Sequence, residues 1–274
     1  MSLNFGGINI GGTSGGGGGS GTTNHAQLTN LDYASSGHTG FLSSENYIPA
    51  GTIITVGTGK DFETLKQAHD SLEGKWSNGT VTIQIDNGEY SGSVSLSKIN
   101  NIPSVIIAGT DVNSTVLKYT PGASGWGQVL AIGARQRITL KNITLESDNS
   151  SGYSGLLIDG AESVTLDNLK CKNTAQYGIS IAGISNVTLR PNGITLTNST
   201  VQGQYGIYVE LGATVYGYYN SKIEINNFAT GISASMGARV TLNQPLTTFT
   251  SVTTQYNPTV NSINTGTGWI FKNN

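Results

Sequence analysis

The sequence predicts an all-β fold, a right-handed parallel β-helix in which each repeat forms one coil of a solenoid. The first observation is a strand motif, usually an apolar residue, a threonine and a second apolar residue, that returns five times. Its copies are spaced by roughly 23 to 28 residues, within the interval of about 20–50 residues that marks a solenoid. They lie at residues 138–140, 164–166, 187–189, 215–217 and 240–242.

The second observation is a glycine nine positions before the valine of each of the last four copies. An apolar residue follows each glycine directly, and the alternation of apolar and polar residues then resumes. This pattern indicates a strand, a turn and a second strand. The glycines are Gly155, Gly178, Gly206 and Gly231.

The third observation is an asparagine after the second strand of each repeat. Asparagine tolerates a left-handed backbone, so we expect these residues to turn the corner of each coil and to stack as a ladder of side-chain amides. They are Asn142, Asn168, Asn192, Asn220 and Asn243. The coils should then stack at about 4.8 Å, the ordinary spacing of strands.

Composition divides the chain into three segments: an arm at residues 1–24, a linker at 25–50 and the β-helix at 51–274. The arm contains an uninterrupted run of glycines at residues 15–19, which is typical of a flexible linker. The apolar residues before that run predict a short peptide that docks on a virion. They are Leu3, Phe5, Ile8 and Ile10.

Residues 25–41 read HAQLTNLDYASSGHTGF and resemble a stretch that recurs in bacteriophage tail fibres and other virion appendages, where it links an anchor to a distal domain. Its apolar side chains, Leu28, Leu31, Tyr33 and Phe41, are too few to bury a core within one chain. Three copies around an axis would bury them, so we expect a homotrimer.

The β-helix segment begins with an amphipathic helix that presents Leu65, Ala68 or His69, and Leu72 on one face, with Asp61 as its expected N-cap. A stretch in which apolar and polar residues alternate, as in a strand, follows the helix, and residues 88–90 are expected to form a turn. This opening resembles that of pectin-lyase-like β-helices, and the resemblance covers roughly residues 51–250. It implies the fold and no particular activity, because the fold serves lyases, hydrolases, esterases and inert stalks alike. Residues 269–271 are expected to form a terminal cap or a trimer contact.

Charge and cysteine content exclude several classes of function. Charged residues make up 11% of the chain and the net charge is −2, so we expect neither a nucleic-acid partner nor insertion into a membrane. The single cysteine, Cys171, excludes an intrachain disulfide and is expected to be a small residue near a coil corner. The first residues lack the pattern of a secretory signal, and we expect the protein to belong to a virion.

Hydrolysis of a polysaccharide needs two carboxylates, and the repeat offers one candidate catalytic pair. Asp159 and Glu210 occupy the same repeat position on coils two apart, which places their backbones about 9.6 Å from each other. That distance is near the upper limit for inverting glycosidases, about 9.5 Å. The alternative is two solvated corner carboxylates, because no other acidic or basic residues cluster with them.

Tyrosines are the more informative surface signal, and alternation sends Tyr208, Tyr216 and Tyr218 outward. Tyrosine stacks on sugar faces, so these three are candidate glycan-binding residues, with a subunit interface as the alternative. Tyrosines beside the repeat glycine are expected to be structural: Tyr153, Tyr177 and Tyr205.

A neighbouring column is expected to form stacked surface ion pairs or part of an anionic-sugar site. It contains Lys141, Asp167, Arg190 and Tyr218. His25 and His38 could meet their symmetry mates around a metal, but the His-x-His pattern of fibre metal sites is absent. The sequence contains no phosphate loop, zinc spacing or nucleophile elbow, and we expect neither a metal nor a cofactor.

Together these features favour a virion structural protein, a phage tail fibre or tailspike. The arm would dock on tail or portal-proximal proteins, and the trimeric β-helix would recognise a host-surface receptor, a glycan. A pectin-lyase-like hydrolase or lyase that depolymerises polysaccharide is the less favoured hypothesis. A capsid decoration fibre would share every feature.

Overall fold

A computed structural model of the chain describes two units, residues 1–43 and 44–274. The described residues are 4–5, 8–9, 46–96, 99, 101–119, 127–133, 136–148, 154–199, 202–243, 246–258, 262–264 and 268–272. In the first unit, strands β1 (Asn4–Phe5) and β2 (Ile8–Asn9) pair antiparallel. Leu3, Ile10 and the whole tail-fibre-like stretch at 25–41 lie outside the described residues.

The second unit contains one short helix, α1 (Leu65–Asp70), and otherwise only strands in its described part. In chain order the strands are β3 (Ile53–Val56), β4 (Thr80–Ile85), β5 (Gly88–Ser91), β6 (Val94–Leu96), β7 (Ser104–Gly109), β8 (Thr115–Lys118), β9 (Gln128–Ile132), β10 (Arg137–Glu146), β11 (Ser154–Asp159), β12 (Ser163–Lys172), β13 (Tyr177–Ala182), β14 (Asn186–Leu189), β15 (Ile194–Thr197), β16 (Gly203–Val209), β17 (Thr214–Gly217), β18 (Lys222–Asn226), β19 (Phe228–Ala234), β20 (Arg239–Asn243), β21 (Leu246–Thr250), β22 (Thr254–Pro258), β23 (Ser262–Asn264) and β24 (Gly268–Lys272).

These strands form a parallel β-solenoid with three faces, which confirms the predicted fold class. The first face contains β3, β4, β7, β14, β17, β20 and the N-terminal halves of β10 and β12. The second contains β5, β8, β15, β18, β21 and the C-terminal halves of β10 and β12. The third is a seven-stranded sheet of β6, β9, β11, β13, β16, β19 and β22, with one strand from each of seven coils.

The repeat motif forms a continuous apolar column on the inner side of the first face. The strand register aligns all five copies, and two earlier coils extend the same column. Its buried members are Val81, Val105, Ile138, Val164, Val187, Val215 and Val240. Equivalent columns from the other faces complete one core along the coil axis.

The repeat glycines are required because the third-face backbone passes close to side chains of the second face. A Cβ atom added at Gly206 would lie 2.6 Å from the Gly231 carbonyl oxygen and 2.7 Å from Cγ2 of Ile225. Gly178 has the same relationship to the Gly206 carbonyl, at 2.7 Å. Close packing leaves no space for a methyl group at these positions.

The left-handed asparagine corner is confirmed at Asn142, Asn168 and Asn220, with φ values of 55°, 54° and 59°. The Asn168 side-chain amide donates to Oδ1 of Asn142 at 2.9 Å, which forms one step of the expected ladder.

The ladder stops at the next coil among the described side chains. Asn192 donates instead to Oδ1 of Asp167 at 2.9 Å, and Gly193 takes the left-handed position with a φ of 67°. The Asn243 side chain lies outside the described part.

The helix prediction is confirmed, but its predicted N-cap is wrong. Thr64 is the N-cap, and it forms a capping box with Gln67, which satisfies backbone donors that the helix leaves open. Asp61 instead accepts hydrogen bonds from the backbone and hydroxyl of Thr55, each at 2.8 Å. The hydrogen bond from the Thr55 backbone is the main reason that the pKa of Asp61 lies below its ordinary value.

The helix packs its apolar face against the N-terminal end of the solenoid. Leu65, Ala68 and Leu72 are fully buried, and His69 is almost so. The helix contacts β3, β4 and β6, so it covers the end of the coil stack, as the sequence suggested.

The structure tests two further expectations, one for residues 88–90 and one for residues 269–271. Residues 88–90 form a strand rather than a turn, because β5 pairs along its length with β8. At the other end β24 pairs antiparallel with β20, so the segment at 269–271 caps the first face.

Cys171 is buried within β12, and burial raises the pKa of its thiol. Among the described residues no helix has the length and apolar character needed to cross a membrane.

Candidate functional site

The outward surface of the third face is built from columns of residues that the strand register aligns. The middle column carries mostly small side chains. From the N-terminal coil onward it contains Ser95, Ala131, Leu157, Ser180, Tyr208 and Ser233.

The candidate carboxylates lie in the neighbouring column, as the repeat predicted. Asp159 pairs with Ala182, and Glu210 follows on the next coil, where its backbone amide donates to the Ile181 carbonyl. Asp159 is exposed and Glu210 is half-buried. Ala182 therefore lies between two acidic residues whose backbones are two coil spacings apart, about 9.6 Å.

A cleft of about 530 Å³ opens at the N-terminal part of the third face. It spans the coils of β6, β9 and β11, so three residues of the middle column contribute to its lining. It is lined by Ser95, Gln128, Ala131, Ile132, Gly133, Leu157, Asp159 and Gly160. Asp159 thus faces a cavity that is large enough for a sugar-sized ligand, since ligand pockets occupy about 300–1,000 Å³.

Three tyrosine rings, here called the tyrosine cluster, lie on the same face next to this cleft. Tyr177 stacks on Tyr205 and on Tyr208, with ring centroids 5.7 Å and 5.1 Å apart. Tyr205 and Tyr208 lie 5.1 Å apart in a tilted arrangement. All three are partly exposed, so together they form a continuous aromatic surface.

Hydrogen bonds fix the orientation of the Tyr208 ring. Its hydroxyl donates to Oε2 of Glu210 at 3.1 Å and lies 3.3 Å from the Ser235 hydroxyl. The Ser235 contact lowers the pKa of Tyr208, but burial and the Glu210 carboxylate together outweigh it, so the net shift is upward. Burial also raises the pKa of Tyr177. Both hydroxyls therefore stay protonated at neutral pH and can donate hydrogen bonds.

The structure separates the other two candidate tyrosines from Tyr208. Tyr216 belongs to β17 of the first face, and Tyr218 lies at the corner that follows it. They are 40% and 41% exposed and pack edge to face at 5.6 Å between ring centroids. The Arg190 guanidinium lies over the Tyr218 ring, 4.9 Å from its centroid, which is within the range of a cation–π interaction.

The predicted ladder of ion pairs is wrong. Within the part of the chain that the structure describes, no ion pair joins Lys141, Asp167 and Arg190, although Lys141 and Asp167 are register neighbours. The Asp167 carboxylate accepts from Asn192, and Arg190 stacks on Tyr218. Local turns therefore determine the partners in this column, rather than alternation of charge.

The sequence did not identify Tyr177 and Tyr205 as parts of a binding surface, whereas it placed Arg190 with Tyr218 in a column that could form part of an anionic-sugar site. A signal was present, because Tyr177 and Tyr205 both directly precede a repeat glycine and so had to be register neighbours. The described residues contain no group of three or more His, Cys, Asp or Glu side chains that could hold a metal ion. His25 and His38 lie outside them.

No protein-family model matches the chain, and no curated protein matches its sequence. Among solved structures, it is similar to pectin methylesterase PemA from Erwinia chrysanthemi, with 12% identity, 81% of this chain and 85% of that chain covered, and a TM-score of 0.42. It is also similar to the pectin methylesterase from Aspergillus niger in deglycosylated form, with 10% identity, 77% and 87% covered, and a TM-score of 0.36. Both likenesses are distant, and the solenoid assignment rests on the strand register itself.

Proposed function

We propose that the chain is a carbohydrate-binding β-solenoid and that its third face is the binding surface. The observation that carries this proposal is the tyrosine cluster of Tyr177, Tyr205 and Tyr208 beside the cleft. Tyrosine rings offer large rigid contact areas at low cost in conformational entropy, and their hydroxyls supply hydrogen bonds to a polar ligand.

The shape of the surface favours an oligosaccharide over a single sugar. Cleft and cluster together extend from β6 to β16, which is four coil spacings or about 19 Å. Ala131 within the cleft and Ser180 beside the cluster have small side chains, which leave room for a chain that lies along the coil axis.

We place this binding activity in a phage tail fibre or tailspike, a virion protein that attaches to the host surface. The resemblance of residues 25–41 to tail-fibre linkers and the apolar docking peptide of the arm support this setting. A homotrimer belongs to the same proposal, and light scattering of the full chain should report three copies. A stable monomer at micromolar concentration would contradict it.

Binding measurements on matched variants test the proposed surface. Tyr208→Ala removes the central ring of the cluster, whereas Tyr47→Ala removes a partly exposed ring that lies outside the cluster and packs against Trp76. With neutral oligosaccharides prepared from a bacterial surface polysaccharide, Tyr208→Ala should weaken binding about tenfold or more, as the loss of stacked aromatic contacts does elsewhere. Tyr47→Ala should leave it unchanged. Equal effects of the two variants would contradict the assignment to the third face.

Cleavage of polysaccharide is the second candidate function, and one observation favours it. Asp159 lines the cleft and shares a column with Glu210 across Ala182, at a spacing near that of inverting glycosidases, about 6.5–9.5 Å. New reducing ends or unsaturated sugars after incubation with polysaccharide would establish this activity. Asp159→Asn combined with Glu210→Gln should abolish cleavage if these carboxylates perform it.

A further inference from the structure

We infer that the corner formed by Arg190, Tyr216, Tyr218 and Tyr219, here called the Arg190 patch, is a second saccharide site that recognises a sugar bearing a carboxylate. The patch lies on the first face and at the corner after it, so it is separate from the tyrosine cluster. The inference rests on the proposed function only in that it assumes a saccharide ligand.

Equivalent turns on successive coils hold the patch in place. The Gly193 amide donates to the Arg190 carbonyl at 2.9 Å, and the Ser221 amide donates to the Tyr218 carbonyl at 3.0 Å. The register of β14 and β17 then sets Arg190 directly beside Tyr218. The guanidinium is therefore oriented before any ligand arrives, which reduces the entropy lost on binding.

The Arg190 guanidinium keeps its capacity to bind an anion. Five other basic side chains of the described solenoid each pair with a carboxylate, namely Lys60, Lys66, Lys118, Arg137 and Lys222. Arg190 has no such ion pair in the described part of the chain.

Two acidic residues, Asp167 of β12 and Glu224 of β18, are engaged elsewhere. Asp167 accepts from Asn192 at 2.9 Å, and Glu224 accepts from Lys222 and Thr195 at 2.8 Å and 3.0 Å. The planar fork of an arginine matches the two oxygens of a carboxylate. A carboxylate is therefore the group that best fits the Arg190 position.

The tyrosines indicate that this carboxylate belongs to a sugar. Tyr216, Tyr218 and Tyr219 are 40%, 41% and 62% exposed, and the Tyr218 ring, which packs against Tyr216, lies directly under the Arg190 guanidinium. A simple inorganic anion would gain nothing from these rings, and a neutral sugar would gain nothing from the charge of Arg190. An acidic sugar such as a uronate would contact the rings with its apolar face and the Arg190 guanidinium with its carboxylate.

The test compares one oligosaccharide in two forms, with its glucuronic acid residues intact and after chemical reduction of their carboxyl groups to alcohols. Binding of both forms to the full-length protein is measured by calorimetry for wild type, Arg190→Gln and Tyr208→Ala. Wild type should bind the acidic form about tenfold more tightly, which is the size of effect expected for a hydrogen bond to a charged group. Arg190→Gln should remove that preference, and Tyr208→Ala should weaken both forms equally.

A second variant keeps the test informative if Arg190→Gln disturbs the corner. Asp167→Asn leaves Arg190 in place and removes a nearby negative charge, so it should increase the preference for the acidic form. Equal binding of the two forms by wild type would overturn this inference and leave the proposed function standing. A preference that survives Arg190→Gln would overturn it as well. Failure of wild type to bind either form would contradict both.

Discussion

The Tyr208 hydroxyl donates a hydrogen bond to the Glu210 carboxylate over 3.1 Å, and this contact joins the aromatic surface of the third face to its column of carboxylates. Glu210 therefore has a structural role, because its carboxylate fixes the ring that forms the centre of the tyrosine cluster. Asp159, which faces the cleft, pairs in its own column with Ala182, whose side chain has no hydrogen-bonding group.

Removal of the hydroxyl should separate the role of the ring from the role of its hydrogen bond. Tyr208→Phe keeps the stack on Tyr177 and removes the bond to Glu210. We expect neutral oligosaccharides to bind Tyr208→Phe within about threefold of wild type, because a hydrogen bond at a half-exposed site contributes about 0.5–1 kcal/mol. Calorimetry provides the comparison, and a loss as large as that of Tyr208→Ala would show that the hydroxyl, not the ring, binds the ligand.

Addition of one methyl group at a repeat glycine should destabilise the solenoid. Gly206→Ala places a Cβ atom 2.7 Å from Cγ2 of Ile225, and overpacking of this kind costs about 1–3 kcal/mol. Gln204→Ala is the control, because Gln204 is exposed in the same strand. Urea denaturation should give a lower midpoint for Gly206→Ala alone, and equal midpoints for the two variants would refute the close-approach explanation.

The asparagine corner predicts an order of stability for two variants at Asn168. Asn168→Gly loses the amide bond to Asn142 but tolerates the left-handed backbone, whereas Asn168→Ala loses the bond and must also adopt a φ of 54°. The left-handed conformation costs an alanine about 1–2 kcal/mol. The thermal midpoint should therefore fall further for Asn168→Ala, and the reverse order would contradict this account of the corner.

Burial of His69 predicts a dependence of stability on pH. Burial lowers the pKa of His69 below its ordinary value and outweighs the opposing effect of Asp70. A lowered pKa means that the folded state favours the neutral ring. The resulting stability is present above the ordinary pKa of about 6.5 and is lost as the pH falls through the lower, folded-state value.

His69→Gln, which does not titrate, should lack this dependence. Urea midpoints measured from pH 8 to pH 5 should converge for wild type and variant as the pH falls, because only wild type loses the contribution. The carboxylates with lowered pKa values, such as Asp70 and Glu224, act at more acidic pH and are common to both proteins. A constant difference between the midpoints across this range would contradict the assignment.

Much of the fold could be predicted from the sequence because stacked coils require the same kind of residue at the same position of each repeat. Residues such as Val164 and Val187 must stack in register, and glycines such as Gly178 and Gly206 mark where the backbone is too close for a side chain. The coil of β7 was harder to recognise, since Val105 is followed by Ile106 rather than by threonine.

The site was less predictable because side-chain partners depend on geometry between coils. Alternation correctly placed Tyr216 and Tyr218 at the surface, but it could not show that Tyr208 lies on a different face. Nor could it show that Arg190 would stack on a ring rather than pair with Asp167. Such choices depend on the turn at each corner, which differs from coil to coil.

The central claim is that the tyrosine cluster on the third face binds carbohydrate, and a glycan array tests it most directly. The array carries neutral and acidic oligosaccharides from bacterial capsules and lipopolysaccharides. The full-length protein and its triple variant Tyr177→Ala, Tyr205→Ala, Tyr208→Ala are compared after circular dichroism has confirmed that both are folded. We predict that wild type binds at least one neutral oligosaccharide and that the triple variant binds none of these. Unchanged binding by the triple variant, or no binding of any saccharide by wild type, would contradict the account.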